Sequence, residues 1–105
     1  MLGDREQRAI TPAAILDATS RMFDFSVEEI QGQSRRRPLV TARQIGMYVC
    51  RELTDLSYPA IADVFGGRDH TTVIHAVRKI ETLMKERRQI YDQVTELIET
   101  IKAGE

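Results

Sequence analysis

Ser57-Tyr58-Pro59-Ala60-Ile61-Ala62-Asp63-Val64-Phe65-Gly66-Gly67-Arg68-Asp69-His70-Thr71-Thr72-Val73 reads as a short helix, a stop and the start of a longer helix. Ser57 is an N-cap residue, and Pro59 sits in the first turn, where a missing N–H and a fixed φ do no harm. Ile61, Val64 and Phe65 then face inward from a helix that runs through Phe65. Gly66-Gly67 ends it, since glycine takes the left-handed conformation of a helix end at least cost. Asp69 caps the next helix, which carries Val73, Val77, Ile80 and Met84 on one side. Helix, glycine turn and longer helix make a helix-turn-helix, whose second helix can enter the major groove of DNA.

The first turn of that second helix is unusual in being wholly polar. Asp69, His70, Thr71 and Thr72 precede the first apolar residue, Val73. A helix end that enters a groove needs that division: side chains that reach base edges first, core residues after. A carboxylate accepts from cytosine N4, and imidazole or threonine bonds base edges or touches the thymine methyl. Free N–H groups at the helix start favour a nearby phosphate. Arg78 and Lys79 follow two turns on. Asp69 alone is better explained as a helix cap, and the two roles can coexist. His70 and His75 are five apart and share no helix face, so no metal site is expected.

Working outward, Thr11-Pro12 predicts a cap and first helical residue, with Ile15, Thr19, Met22 and Phe23 as the apolar stripe. Ser26-Val27-Glu28-Glu29 fits a capping box for a short helix ended by Gly32. Gln33 to Val40, with Arg35-Arg36-Arg37 and Pro38, is expected to be a loop. Thr41-Ala42-Arg43-Gln44 reads as a further capping box, opening a helix that buries Ile45, Val49 and Leu53 and exposes Arg43 and Arg51. A final helix puts Ile90, Val94, Leu97 and Ile101 on one face. The expectation is an all-α domain of about six helices over residues 11–105, preceded by a charged linker over residues 1–10.

Composition fits one soluble globular domain. Hydrophobic residues make up 42 % and charged residues 30 % of 105 residues, which sets aside global disorder. No uncharged stretch exceeds eight residues, so no membrane span is expected. One cysteine, Cys50, can form neither an internal disulfide nor a zinc cage, and a reducing cytoplasm is the expected setting. The net charge of −1 hides an asymmetry: Gln33 to Arg51 holds five arginines and no acid. A basic face binds polyanions whatever the total charge. Arginines on a loop suit a narrow, electronegative minor groove, although a charge run is more often simply a solvated surface. An enzyme fits poorly: Cys50 lies in an apolar helical stretch, and Gly66-Gly67-Arg68 lacks the spacing of a phosphate-cradling loop.

Gly66 to Ala76, together with Ala42-Arg43-Gln44, Arg51-Glu52-Leu53-Thr54 and Ser57-Tyr58-Pro59-Ala60-Ile61, resembles the C-terminal DNA-binding domain of the DnaA family of bacterial replication initiators. The resemblance covers roughly residues 10–102. It implies an extended helix-turn-helix that binds the DnaA box (consensus TTATCCACA) in double-stranded DNA at the replication origin. Asp69, His70, Thr71 and Thr72 would read the major groove, and Arg35 would enter the minor groove. Arg37, Arg43, Gln44, Arg51, Pro59 (through its neighbourhood), His75 and Lys79 would hold phosphates. It further implies replication regulators as partners, and a monomeric, nucleoid-associated domain without catalysis. It also implies no cofactor in this chain, because ATP binds a separate module N-terminal to this domain. The competing expectation is a protein-interaction module that docks a partner on the acidic C-terminal helix.

Overall fold

The computed structural model describes residues 10–104, and these form six α-helices: α1 (Pro12–Phe23), α2 (Val27–Gln31), α3 (Arg37–Leu53), α4 (Tyr58–Val64), α5 (His70–Glu86) and α6 (Arg88–Ala103). The all-α expectation holds. The expected linker lies outside the described residues except for Ile10, which packs against the core.

Most helix starts follow local chemistry. The Thr11 side chain accepts from the Ala14 N–H at 3.1 Å, and Pro12 opens α1. Ser26 and Glu29 close a reciprocal capping box at α2, with bonds of 3.0 and 2.8 Å. Ser57 accepts from the Ala60 N–H at 3.2 Å at the start of α4. That helix ends at Val64, and Phe65 is its C-cap rather than its last residue.

One boundary differs from the sequence reading. α3 begins at Arg37, so Arg37 to Val40 are helical and Thr41 lies inside the helix, not at its cap. Pro38 occupies the first turn, where it costs no hydrogen bond. The earlier start buries Leu39 completely. It also reassigns the buried face, which comprises Leu39, Ala42, Arg43, Ile45, Gly46, Met47, Val49 and Cys50, leaving Leu53 half-buried.

α3 is the central helix and packs against all five others. Gly46 allows the Phe65 ring to lie against it: a Cβ there would stand 3.0 Å from the ring. α5 contributes Val73, Ala76, Val77 and Ile80 to the core, and Met84 is half-buried. α6 buries Ile90, Val94, Leu97 and Ile101, so the apolar face needed by the protein-interaction alternative is already covered by the domain itself. Burial pushes the Cys50 thiol up to about 12, which leaves it inert.

Candidate nucleic-acid interface

The turn between α4 and α5 is built on two glycines with positive φ, +95° at Gly66 and +79° at Gly67. At Gly66 the conformation is only half of the requirement. A Cβ there would lie 2.1 Å from the Gln31 carbonyl oxygen, so the turn sits directly on the C-terminal end of α2. Gly67 faces open space.

Beyond the turn, Asp69 caps α5. Its Oδ1 accepts from the Thr71 N–H at 2.8 Å and from the Thr71 hydroxyl at 2.7 Å. These two bonds, with a smaller contribution from His70 at 3.7 Å, hold the Asp69 carboxyl below its ordinary range. Asp69, His70, Thr71 and Thr72 are all exposed, and burial begins at Val73. Thr71, His75 and Lys79, four residues apart, follow one another along one exposed face.

The arginines divide into two groups. Arg35 and Arg37 are exposed between α2 and α3 and at the start of α3. Arg51 is exposed at the end of α3. Its guanidinium lies over the Tyr58 ring, 4.3 Å from the centroid, and donates to the Leu56 carbonyl at 3.2 Å. Exposed Pro59 follows directly, and Gln44 is half-buried on α3. Arg36 is engaged by Glu29 at 3.3 Å.

Arg43 corrects the sequence reading. It is 6 % exposed, not a surface residue. Its Nε donates to the Ile30 carbonyl at 2.6 Å, Nη1 to that of Ser34 at 3.1 Å and Nη2 to that of Glu29 at 3.0 Å. A guanidinium so occupied is not available to a phosphate. Its pKa is lowered, first by burial and then by the charge of Arg68. The signal was present: Leu39, Arg43, Gly46 and Cys50 recur at steps of four, three and four, one face of a helix once the helix starts at Arg37.

Arg68, within the motif, has a role that the sequence pattern does not assign. Its guanidinium donates to the carbonyls of Phe65 and Gly32, and at 3.2 Å to that of Gln31. In return the Gln31 side chain donates to the Val64 carbonyl at 2.8 Å. The bond to Phe65 is local, but nothing in the local pattern announces the others, because their partners lie more than thirty residues away in the chain. Together they bring the end of α2, which leads into the Arg35 loop, against the turn that launches α5.

Among the described residues no group of three or more His, Cys, Asp or Glu side chains could hold a metal ion. No described helix is long and apolar enough to cross a membrane.

Six helices, with α4 and α5 joined by a glycine turn and a polar first turn held outward, define a helix-turn-helix domain. The family described as "Bacterial dnaA protein helix-turn-helix" matches residues 12–80, and the chain belongs to that family. The chromosomal replication initiator protein DnaA of Cutibacterium acnes is 52 % identical over 102 residues, covering 97 % of this chain. The proteins of the same name from Leifsonia xyli and Clavibacter sepedonicus are each 54 % identical over 97 residues, or 92 % of this chain. The chain spans about one fifth of the length of these relatives. What the family model matches is the helix-turn-helix domain.

Proposed function

We propose that this domain binds double-stranded DNA sequence-specifically at DnaA boxes of a bacterial replication origin, in the initiation and regulation of chromosome replication. The observation that carries the reading is the division of α5 into an exposed polar first turn and a buried remainder, in a chain of this family. His70, Thr71 and Thr72 read base edges in the major groove. Asp69 holds the helix end and keeps its second carboxylate oxygen for a donor such as cytosine N4. Arg35 enters the adjacent minor groove. Arg37, Gln44, Arg51, the backbone around Pro59, His75 and Lys79 hold phosphates. Arg43 is left out of that set, because its donors are spent on three carbonyls.

The domain acts as a monomer in the cytoplasm, on the nucleoid, and needs no cofactor of its own. ATP would bind the separate module of a longer initiator, and replication regulators would meet the same surface. Phosphate contacts supply most of the affinity, and the first turn of α5 supplies most of the specificity.

Anisotropy titration against a box duplex and a scrambled duplex at several salt concentrations tests the reading. The expected result is a clear preference for the box, with a slope of log affinity on log salt of roughly −3 from Arg37, Arg51 and Lys79 at about −0.9 each. Equal affinity for the two duplexes, or binding insensitive to salt, would exclude it.

A further inference from the structure

Three observations meet at the C-terminal end of α2. Gly66 brings the turn so close that no Cβ fits between it and the Gln31 carbonyl. Arg68 donates to the carbonyls of Phe65, Gln31 and Gly32, tying the turn to the end of α2. Arg43 donates to the carbonyls of Glu29, Ile30 and Ser34, tying the same helix end to α3 and holding the residue immediately before Arg35. Helix ends leave carbonyls without internal partners, and here two guanidiniums, five donors each, take them up.

From this arrangement we propose that Arg68, with Arg43, is a positioning residue for DNA recognition. The two side chains form a clamp that fixes the stem of the Arg35 loop relative to the first turn of α5, and they touch no DNA. The inference rests on the proposed function, in which that loop and that turn enter two different grooves. Two reading elements on one rigid joint must fit the box together, and a scrambled duplex satisfies at most one of them. Arg68 is therefore a specificity determinant that acts through Arg35 and His70.

A clamp and a phosphate contact give opposite results on substitution. Lysine keeps the charge of Arg68 but not its planar fork, so it replaces a phosphate ligand well and a clamp poorly. The test measures the 105-residue chain and its Arg68→Lys and Arg68→Gln variants on box and scrambled duplexes over a range of salt, with folding checked by circular dichroism. A clamp predicts that both variants lose box preference by roughly tenfold, within the usual span of a coupling between two sites. It also predicts that both keep the parent salt slope. Adding Arg35→Ala to Arg68→Lys should then cost less than Arg35→Ala costs in the parent, because the loop arginine is already out of place.

Wild-type box preference in Arg68→Lys would overturn the clamp, as would a slope reduced by about one unit in Arg68→Gln, the mark of a lost phosphate contact. Full additivity with Arg35→Ala would overturn it too. Should Arg68→Gln fail to fold, Arg68→Lys alone decides. A parent chain that shows no box preference would instead sink the proposed function, and the two failures are thereby told apart.

Discussion

Arg43 and Arg51 stand two helical turns apart on α3 and lead different lives. Arg43 is buried against the end of α2 with three carbonyls on its donors. Arg51 is exposed over Tyr58, bonded to one carbonyl and open on its remaining side. Both belong to a stretch with no acid in it, and a count of charge treats them alike. The difference teaches that a basic segment holds two kinds of arginine. One kind spends its donors inside the protein and builds the shape of the surface. The other leaves most of them exposed, and on the proposed function these meet phosphates.

Substitutions separate the two kinds. The largest effect is expected at the joint that Arg43 and Arg68 secure. Gly66→Ala forces a Cβ onto the Gln31 carbonyl at positive φ, and should cost roughly 3 kcal/mol or more in urea unfolding. Gly67→Ala, at similar φ but in open space, should cost only about 1 kcal/mol. Equal losses would mean that close approach to α2 is not what Gly66 provides.

Arg43→Ala comes next. It removes the guanidinium from three carbonyls, of which Glu29 keeps the Gly32 N–H, and should destabilise the domain by about 2–3 kcal/mol. The slope of DNA affinity on salt should stay at the parent value. Arg51→Ala should do the reverse, with at most about 1 kcal/mol of stability lost with its place over Tyr58. Its slope should fall by about 0.9 units on every sequence. A reduced slope in Arg43→Ala, or an unchanged one in Arg51→Ala, would erase the distinction between them.

The smallest effect concerns the cap of α5. The Asp69 carboxyl is held below its ordinary value of 3.8, so the folded state binds that proton less readily than the unfolded one. Its contribution is therefore complete above pH 3.8 and is lost as pH falls through the depressed folded value. Asp69→Asn keeps an acceptor for the Thr71 N–H but has no charge to titrate. Its melting temperature should fall less than that of the parent across this acid range. An identical fall in both would show that Asp69 has no part in the acid sensitivity.

Much of this was legible in the sequence because it rests on short-range chemistry. The Ser26–Glu29 box, the Thr11 and Asp69 caps, the Gly66-Gly67 stop and the apolar steps of four, three and four along α6 are local patterns, and each is present as read. The start of α3 was not legible, since a proline suits a first helical turn as well as a loop. A helix start placed beyond Leu39 hides the stripe that carries Arg43 inward. Arg68 was harder still. Its carbonyl partners on α2 come from a distant part of the chain, and an arginine beside two glycines gives no local hint of them. The exposed first turn of α5, by contrast, could be read directly from four polar residues ahead of Val73.

On the proposed function, this first turn reads bases while the exposed arginines hold the backbone. Affinity for a set of box duplexes, each changed at one base pair, measured for the parent, His70→Ala and Thr72→Ala, tests it most directly. Each variant should lose roughly 1–3 kcal/mol on the unchanged box and become indifferent at one or two base pairs, with the other positions discriminated as before. Variants that keep the parent profile at every position, or that weaken all duplexes equally, would contradict it.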